Sequence, residues 1–83
     1  MIELPEGSTT VDFAYAIHSD VGDHARSAKI NGKFVSLDTK LKNEDIVEIE
    51  IKKTSRPSLK WLDYVKTSDA RKHIRLFFTR KKN

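Results

Sequence analysis

Polar and apolar residues alternate most regularly in IVEIEIK, residues 46 to 52, where Val47, Ile49 and Ile51 take one side and Ile46, Glu48 and Glu50 the other. A period of two over a β-branched run predicts a strand with one covered face. Upstream the period lengthens. Thr9 stands three residues before Asp12 in the manner of a capping box, and two stripes at helical spacing follow, Val11, Ala14, Tyr15, His18 and Phe13, Ala16, Ile17. These predict a helix over about residues 10 to 18, with Gly22 free to take the positive φ that ends or redirects such a segment. In SAKINGKFVSL, two short β-type runs flank Asn31-Gly32, a pair that favours a tight two-residue hairpin. MIEL, before Pro5-Glu6-Gly7, reads as an opening strand running into a turn.

Strand, helix, hairpin, strand is the order of an α+β domain, and the simplest packing is the β-grasp of ubiquitin-like folds, a mixed sheet crossed by one helix. In that arrangement the first and last strands lie side by side and the helix buries Phe13 and Ile17. The pattern then changes past residue 52. KKTSRP is a polar connector in which Pro57 forbids further strand. Ser58 is placed to cap LKWLDYVK, and Thr67 or Ser68 to cap DARKHIRLFFTRKK, two short amphipathic helices. The chain therefore divides into a β-grasp domain over 1–52 and a basic helical extension over 53–83. Trp61, Phe77 and Phe78 are expected on its surface, where absent domains of a larger protein would cover them.

Composition narrows the chemistry. The net charge of +4 over 83 residues hides a division, since residues 1–51 carry five basic against ten acidic groups and residues 52–83 eleven against two. A basic half of this kind points to nucleic acid or an acidic surface. The chain has no cysteine, which excludes disulfides and thiolate metal sites and favours a reducing cytoplasm. No apolar run approaches the roughly 20 residues of a membrane span, and no leader pattern opens the chain, so a soluble, unexported protein is expected.

His18, His24 and His73 lack the spacing of a zinc site, and the three glycines are not clustered into a phosphate loop. No cofactor, metal or catalytic group is expected. His18 has two readings. It is either a half-buried imidazole capping the helix C-terminus, or an exposed ring that stacks on or hydrogen-bonds an unpaired base, with Arg26 and Lys29 holding the adjoining phosphates. Tyr15, one turn earlier, reads as core.

The wording LPEGSTTVDFAYAIHSDVG with AKINGKFVSLDTKLKNEDIVEI resembles the TGS domain, named for threonyl-tRNA synthetases, GTPases and SpoT. RPSLKWLDYVKTSDARKHIRLFF is similar to the segment that follows this domain in long RelA/SpoT alarmone (ppGpp) enzymes. The resemblance spans nearly the whole chain. It implies a regulatory, non-catalytic module of a stringent-response GTP pyrophosphokinase or (p)ppGpp hydrolase. The implied partners are the 3′ CCA end of uncharged tRNA on the ribosome, met near His18, or else acyl carrier protein or neighbouring domains. Two places depart from the family's pattern. Val21-Gly22-Asp23 stands where Val-Gly-His is usual, and Asn43-Glu44-Asp45 where Asn-Gly-Asp is usual.

Overall fold

Helix α1, Thr10–Ile17, starts where the Thr9 and Asp12 pattern places it. The Thr9 hydroxyl accepts from the Asp12 N–H at 3.4 Å while the Asp12 carboxylate accepts from the Thr9 N–H at 2.8 Å, so two orphan donors of the first turn are satisfied reciprocally. The remaining elements are α2 (Ser19–Asp23), β1 (Ala25–Ile30), β2 (Lys33–Val35), β3 (Val47–Ile51), a 3-10 helix (Leu59–Asp63) and α3 (Ser68–Arg80). The computed structural model describes residues 4–42 and 44–80. The strand expected over MIEL, whose pairing would make the sheet mixed, lies almost wholly outside them.

The described strands form an antiparallel sheet in the order β2-β1-β3, which with its helices makes the expected α+β, β-grasp domain. Asn31 and Gly32 have φ of 53° and 84°, the paired positive values that a type I′ turn requires, and Ile30 pairs directly with Lys33. Asn31 also anchors the entry to β3. Its side-chain oxygen accepts from the Ile46 N–H at 2.9 Å, and its own N–H donates to the Ile46 carbonyl at 2.8 Å. Register places Ala28 opposite Ile49 on the helix side, and Ser27 opposite Glu50 and Lys29 opposite Glu48 on the outer side. A register shift between Ala25 and Ser27 leaves Arg26 exposed at a bulge.

The core corrects the choice of helix face. Val11, Ala14 and Tyr15 are buried together with Ala25, Trp61, Val65, Ala70 and Ile74, whereas Phe13 is half-buried and Ile17 is 46% exposed. The physical reason is the extension. Its 3-10 helix and α3 bring Trp61, Val65, Ala70 and Ile74 against α1, giving the Val11, Ala14, Tyr15 stripe the larger apolar partner. The same packing corrects the expected exposure of the extension's aromatics. Trp61 is 7% exposed, and Phe77 and Phe78 are half-buried in an edge-to-face pair 5.5 Å apart. The segment after Ser58 is also shorter than expected. Ser58 Oγ accepts from the Lys60 N–H at 3.2 Å, but the turn that follows is 3-10 and stops at Asp63.

Candidate functional site

DFAYAIHSDVGD makes two helices, and His18 is the joint between them. Its backbone is extended, with φ −169° and ψ 148°, and its N–H closes α1 on the Ala14 carbonyl at 3.3 Å. The imidazole turns the other way. Nδ1 accepts from the Asp20 N–H at 3.1 Å, so the ring caps the N-terminus of α2 instead of the C-terminus of α1, which is where the capping reading had put it. A neutral ring that accepts at Nδ1 carries its hydrogen on Nε2. The His18 side chain is 66% exposed at the joint between α1 and α2, with Asp20 Oδ2 3.8 Å from Nδ1.

What lies beneath His18 is tightly built. Gly22 sits inside α2 without a positive φ. It is needed for proximity, because a Cβ there would fall into the ring of Tyr15. The Tyr15 hydroxyl donates to Asp23 Oδ1 at 2.8 Å, and its ring stacks on His73 of α3 at 5.7 Å and 4°. Burial, then the Asp23 hydrogen bond and charge, push the Tyr15 phenol well above the usual tyrosine range. Ser19, Asp20, Asp23, His73, Leu76 and Phe77 line a cleft of about 110 Å³ between α2 and α3.

The other sequence-derived candidates are dispersed over β1. Arg26 is exposed at the bulge, while the Lys29 ammonium lies 4.6 Å from the ring centroid of its cross-strand partner Phe34, on the sheet face that carries Glu48 and Glu50. No hydrogen bond, ion pair or ring contact links His18, Arg26 and Lys29 among the described residues. His24 has a structural task, its Nδ1 lying 3.1 Å from the Ser55 carbonyl, while its own carbonyl accepts from the Lys52 N–H at 3.0 Å. Among the described residues no group of three or more metal-ligating side chains is assembled, and no helix is long and apolar enough to cross a membrane.

Asp12 is the residue whose reach the sequence concealed. It is 1% exposed, and besides the capping box it accepts from the N–H groups of Lys66 and Thr67 and from the Thr67 hydroxyl. The box signals only the local half of this arrangement. The cap by His18 had a possible signal in the Ser-Asp pair that follows it, an acidic first turn on a helix too short to show periodicity.

The described strands form an antiparallel sheet joined to a helical layer, a small α+β domain with the His18 ring exposed at the α1–α2 joint. The chain belongs to the TGS domain family, whose model matches residues 1–50. It is 52% identical over 80 residues to a probable guanosine-3′,5′-bis(diphosphate) 3′-pyrophosphohydrolase of Synechocystis sp., covering 96% of this chain and 10% of that protein. It is 51% identical over 83 residues to the guanosine-3′,5′-bis(diphosphate) 3′-pyrophosphohydrolase of Borreliella burgdorferi, covering 100% and 12%. A GTP pyrophosphokinase of Myxococcus xanthus is 55% identical over 74 residues, covering 89% and 10%. The chain thus spans about a tenth of the length of these relatives.

Proposed function

We propose that this chain is the regulatory, non-catalytic module of a cytoplasmic alarmone synthetase/hydrolase, and that it reads the 3′ CCA end of uncharged tRNA at His18. The observation that carries this reading is the exposed imidazole. Its Nδ1 is committed to the Asp20 N–H, so it offers a flat ring and an Nε2 donor. An unpaired terminal base or ribose matches both features. Arg26, exposed on β1, serves adjoining phosphates, and Lys29 assists from beside Phe34. In this reading residues 1–52 meet the RNA end and residues 53–83 join the module to the rest of the parent enzyme. The test is titration of labelled deacylated tRNA against the chain at two salt concentrations, with the aminoacylated tRNA as comparison. Tighter binding of the deacylated form, lost on changing His18, is expected. Equal binding of both forms, unaltered by His18, would overturn it.

A second reading is favoured by one observation, the Asp12 bridge from α1 to Lys66 and Thr67. A module tied so firmly to its extension could relay position between neighbouring domains, or dock an acidic partner such as acyl carrier protein on its basic helices. Crosslinking of the parent enzyme from α3 to a neighbouring domain, with no RNA effect, would select it.

A further inference from the structure

The positive charge of α3 is not neutralised inside the fold. Among the described residues no lysine or arginine side chain forms an ion pair with a carboxylate, so Lys72 and Arg75 are not neutralised within the fold. Helix α3 turns Ala70 and Ile74 into the core and leaves Arg71, Lys72 and Arg75 exposed. With Ser68, Leu76 and Thr79 these three line an open groove of about 400 Å³ along the outer side of the helix. Arg71 also donates to the Val65 carbonyl at 3.3 Å, which holds its guanidinium toward the start of the helix.

The groove does not end in empty surface. Leu76 lines both this groove and the small α2–α3 cleft whose opposite wall is Ser19, Asp20 and Asp23, next to His18. A strand whose end lies at His18 therefore has a continuous path over Leu76 onto the cations of α3. The carboxylates of Asp20 and Asp23 repel phosphate from the cleft and favour its placement on Lys72 and Arg75. A protein partner fits less well. The centres of protein interfaces are rich in aromatic, methionine and arginine side chains and poor in lysine, and this lining offers arginine but no aromatic ring or methionine, with Leu76, 38% exposed, as its large apolar residue. A phosphodiester backbone needs point charges and no apolar burial.

We propose that the outer face of α3 is a second RNA contact, in which Lys72 and Arg75, with Arg71 at the rim, hold phosphates of the strand whose 3′ end meets His18. This rests on the RNA-end reading above. Its test uses the 83-residue chain, an RNA hairpin with a deacylated single-stranded CCA end, and the same hairpin ending flush. The variants are Lys72→Gln with Arg75→Gln, and separately His18→Asn. Glutamine keeps helix propensity at exposed positions, so circular dichroism should be unchanged. Loss of two phosphate contacts should weaken both hairpins several-fold and flatten the slope of log K against log salt by roughly 1.5. His18→Asn should abolish only the preference for the CCA end. An unchanged slope in the Lys72/Arg75 double variant overturns the α3 contact, and the His18 reading stands if the CCA preference persists. A flattened slope with no CCA preference in the parent upholds α3 and removes His18. Polyglutamate that displaces RNA at equal charge concentration makes the face a protein-docking surface, and no binding of either hairpin at about 50 mM salt overturns the proposal outright.

Discussion

Asp12 and Thr67, 55 residues apart, are joined twice, because the Thr67 N–H and hydroxyl both donate to Asp12 Oδ1, at 2.9 and 2.8 Å. The Lys66 N–H adds bonds to both carboxylate oxygens at 3.1 and 2.9 Å. Thr67 in turn caps α3, its hydroxyl accepting from the Ala70 N–H at 3.2 Å. One buried carboxylate thus serves the N-termini of two helices, where its charge meets the positive end of each dipole. The extension is attached to α1 by this polar bridge as well as by the Trp61, Val65 and Ile74 contacts.

We predict that Asp12→Asn loosens the extension before the sheet. An amide replaces one accepting oxygen with a donor, leaving buried N–H groups unpaired at about 1 to 3 kcal/mol each. Chemical denaturation should show a loss of about 2 to 4 kcal/mol on the same basis. Hydrogen exchange should show protection falling first in α3. Equal loss in β1 and β3 would contradict a local bridge.

This relationship also marks what could be read in advance. Thr9 and Asp12 lie within one turn of each other and Asn31-Gly32 makes its own turn, so both signals were legible locally. The donors at residues 66 and 67 are far away in sequence, and no periodicity announces them. The two stripes of α1 were equally regular, and the choice between them depended on an apolar surface that the extension supplies from the other end of the chain. At the candidate site, the sequence left His18 between a half-buried cap of α1 and an exposed ring. The ring's role as cap of α2 was not legible, because five residues are too few to declare a helix.

Gly22→Ala should destabilise the domain, although alanine is the better helix former by about 1 kcal/mol. The new Cβ meets the Tyr15 ring, which Asp23 and His73 hold in place. Overpacking of this kind costs about 1 to 3 kcal/mol. A raised melting temperature would show that Tyr15 moves freely.

Glu44 should respond in the opposite sense. Its φ is 69°, a left-handed conformation, and a non-glycine residue held there costs roughly 1 to 2 kcal/mol. Glycine removes that strain but adds freedom to the unfolded chain, worth about 0.4 to 1 kcal/mol. Glu44→Gly should therefore raise the denaturation midpoint modestly, by about 0.5 to 1 kcal/mol in stability on these terms. A lower midpoint would refute the strain.

Alkaline titration should separate the two tyrosines from an unfolded reference near 10. Burial, and then the charge of Asp38, push Tyr64 up to about 12. Tyr15 lies higher still. A raised folded value means that the stability these phenols contribute is fully present below pH 10; that of Tyr64 is lost as pH rises through 12, and that of Tyr15 at still higher pH. Ultraviolet absorbance of tyrosinate should lag the unfolded chain throughout that window, and a single step near 10 would count against burial.

The closing prediction separates the two tasks of His18, cap and ligand. Asparagine is a strong N-cap whose side-chain oxygen can take the Asp20 N–H, so His18→Asn should keep α2 and leave stability within about 0.5 kcal/mol of the parent. Alanine removes the cap at about 0.5 to 2 kcal/mol. If the ring meets the RNA end, both variants lose the same stacking contact, about 1 to 3 kcal/mol of affinity for the deacylated CCA end. Binding should then track the ring and be indifferent to the cap, while thermal melting tracks the cap and is indifferent to the ring. A His18→Asn chain that binds deacylated tRNA like the parent, beside a His18→Ala chain that does not, would make His18 a capping residue whose effect on RNA passes through α2.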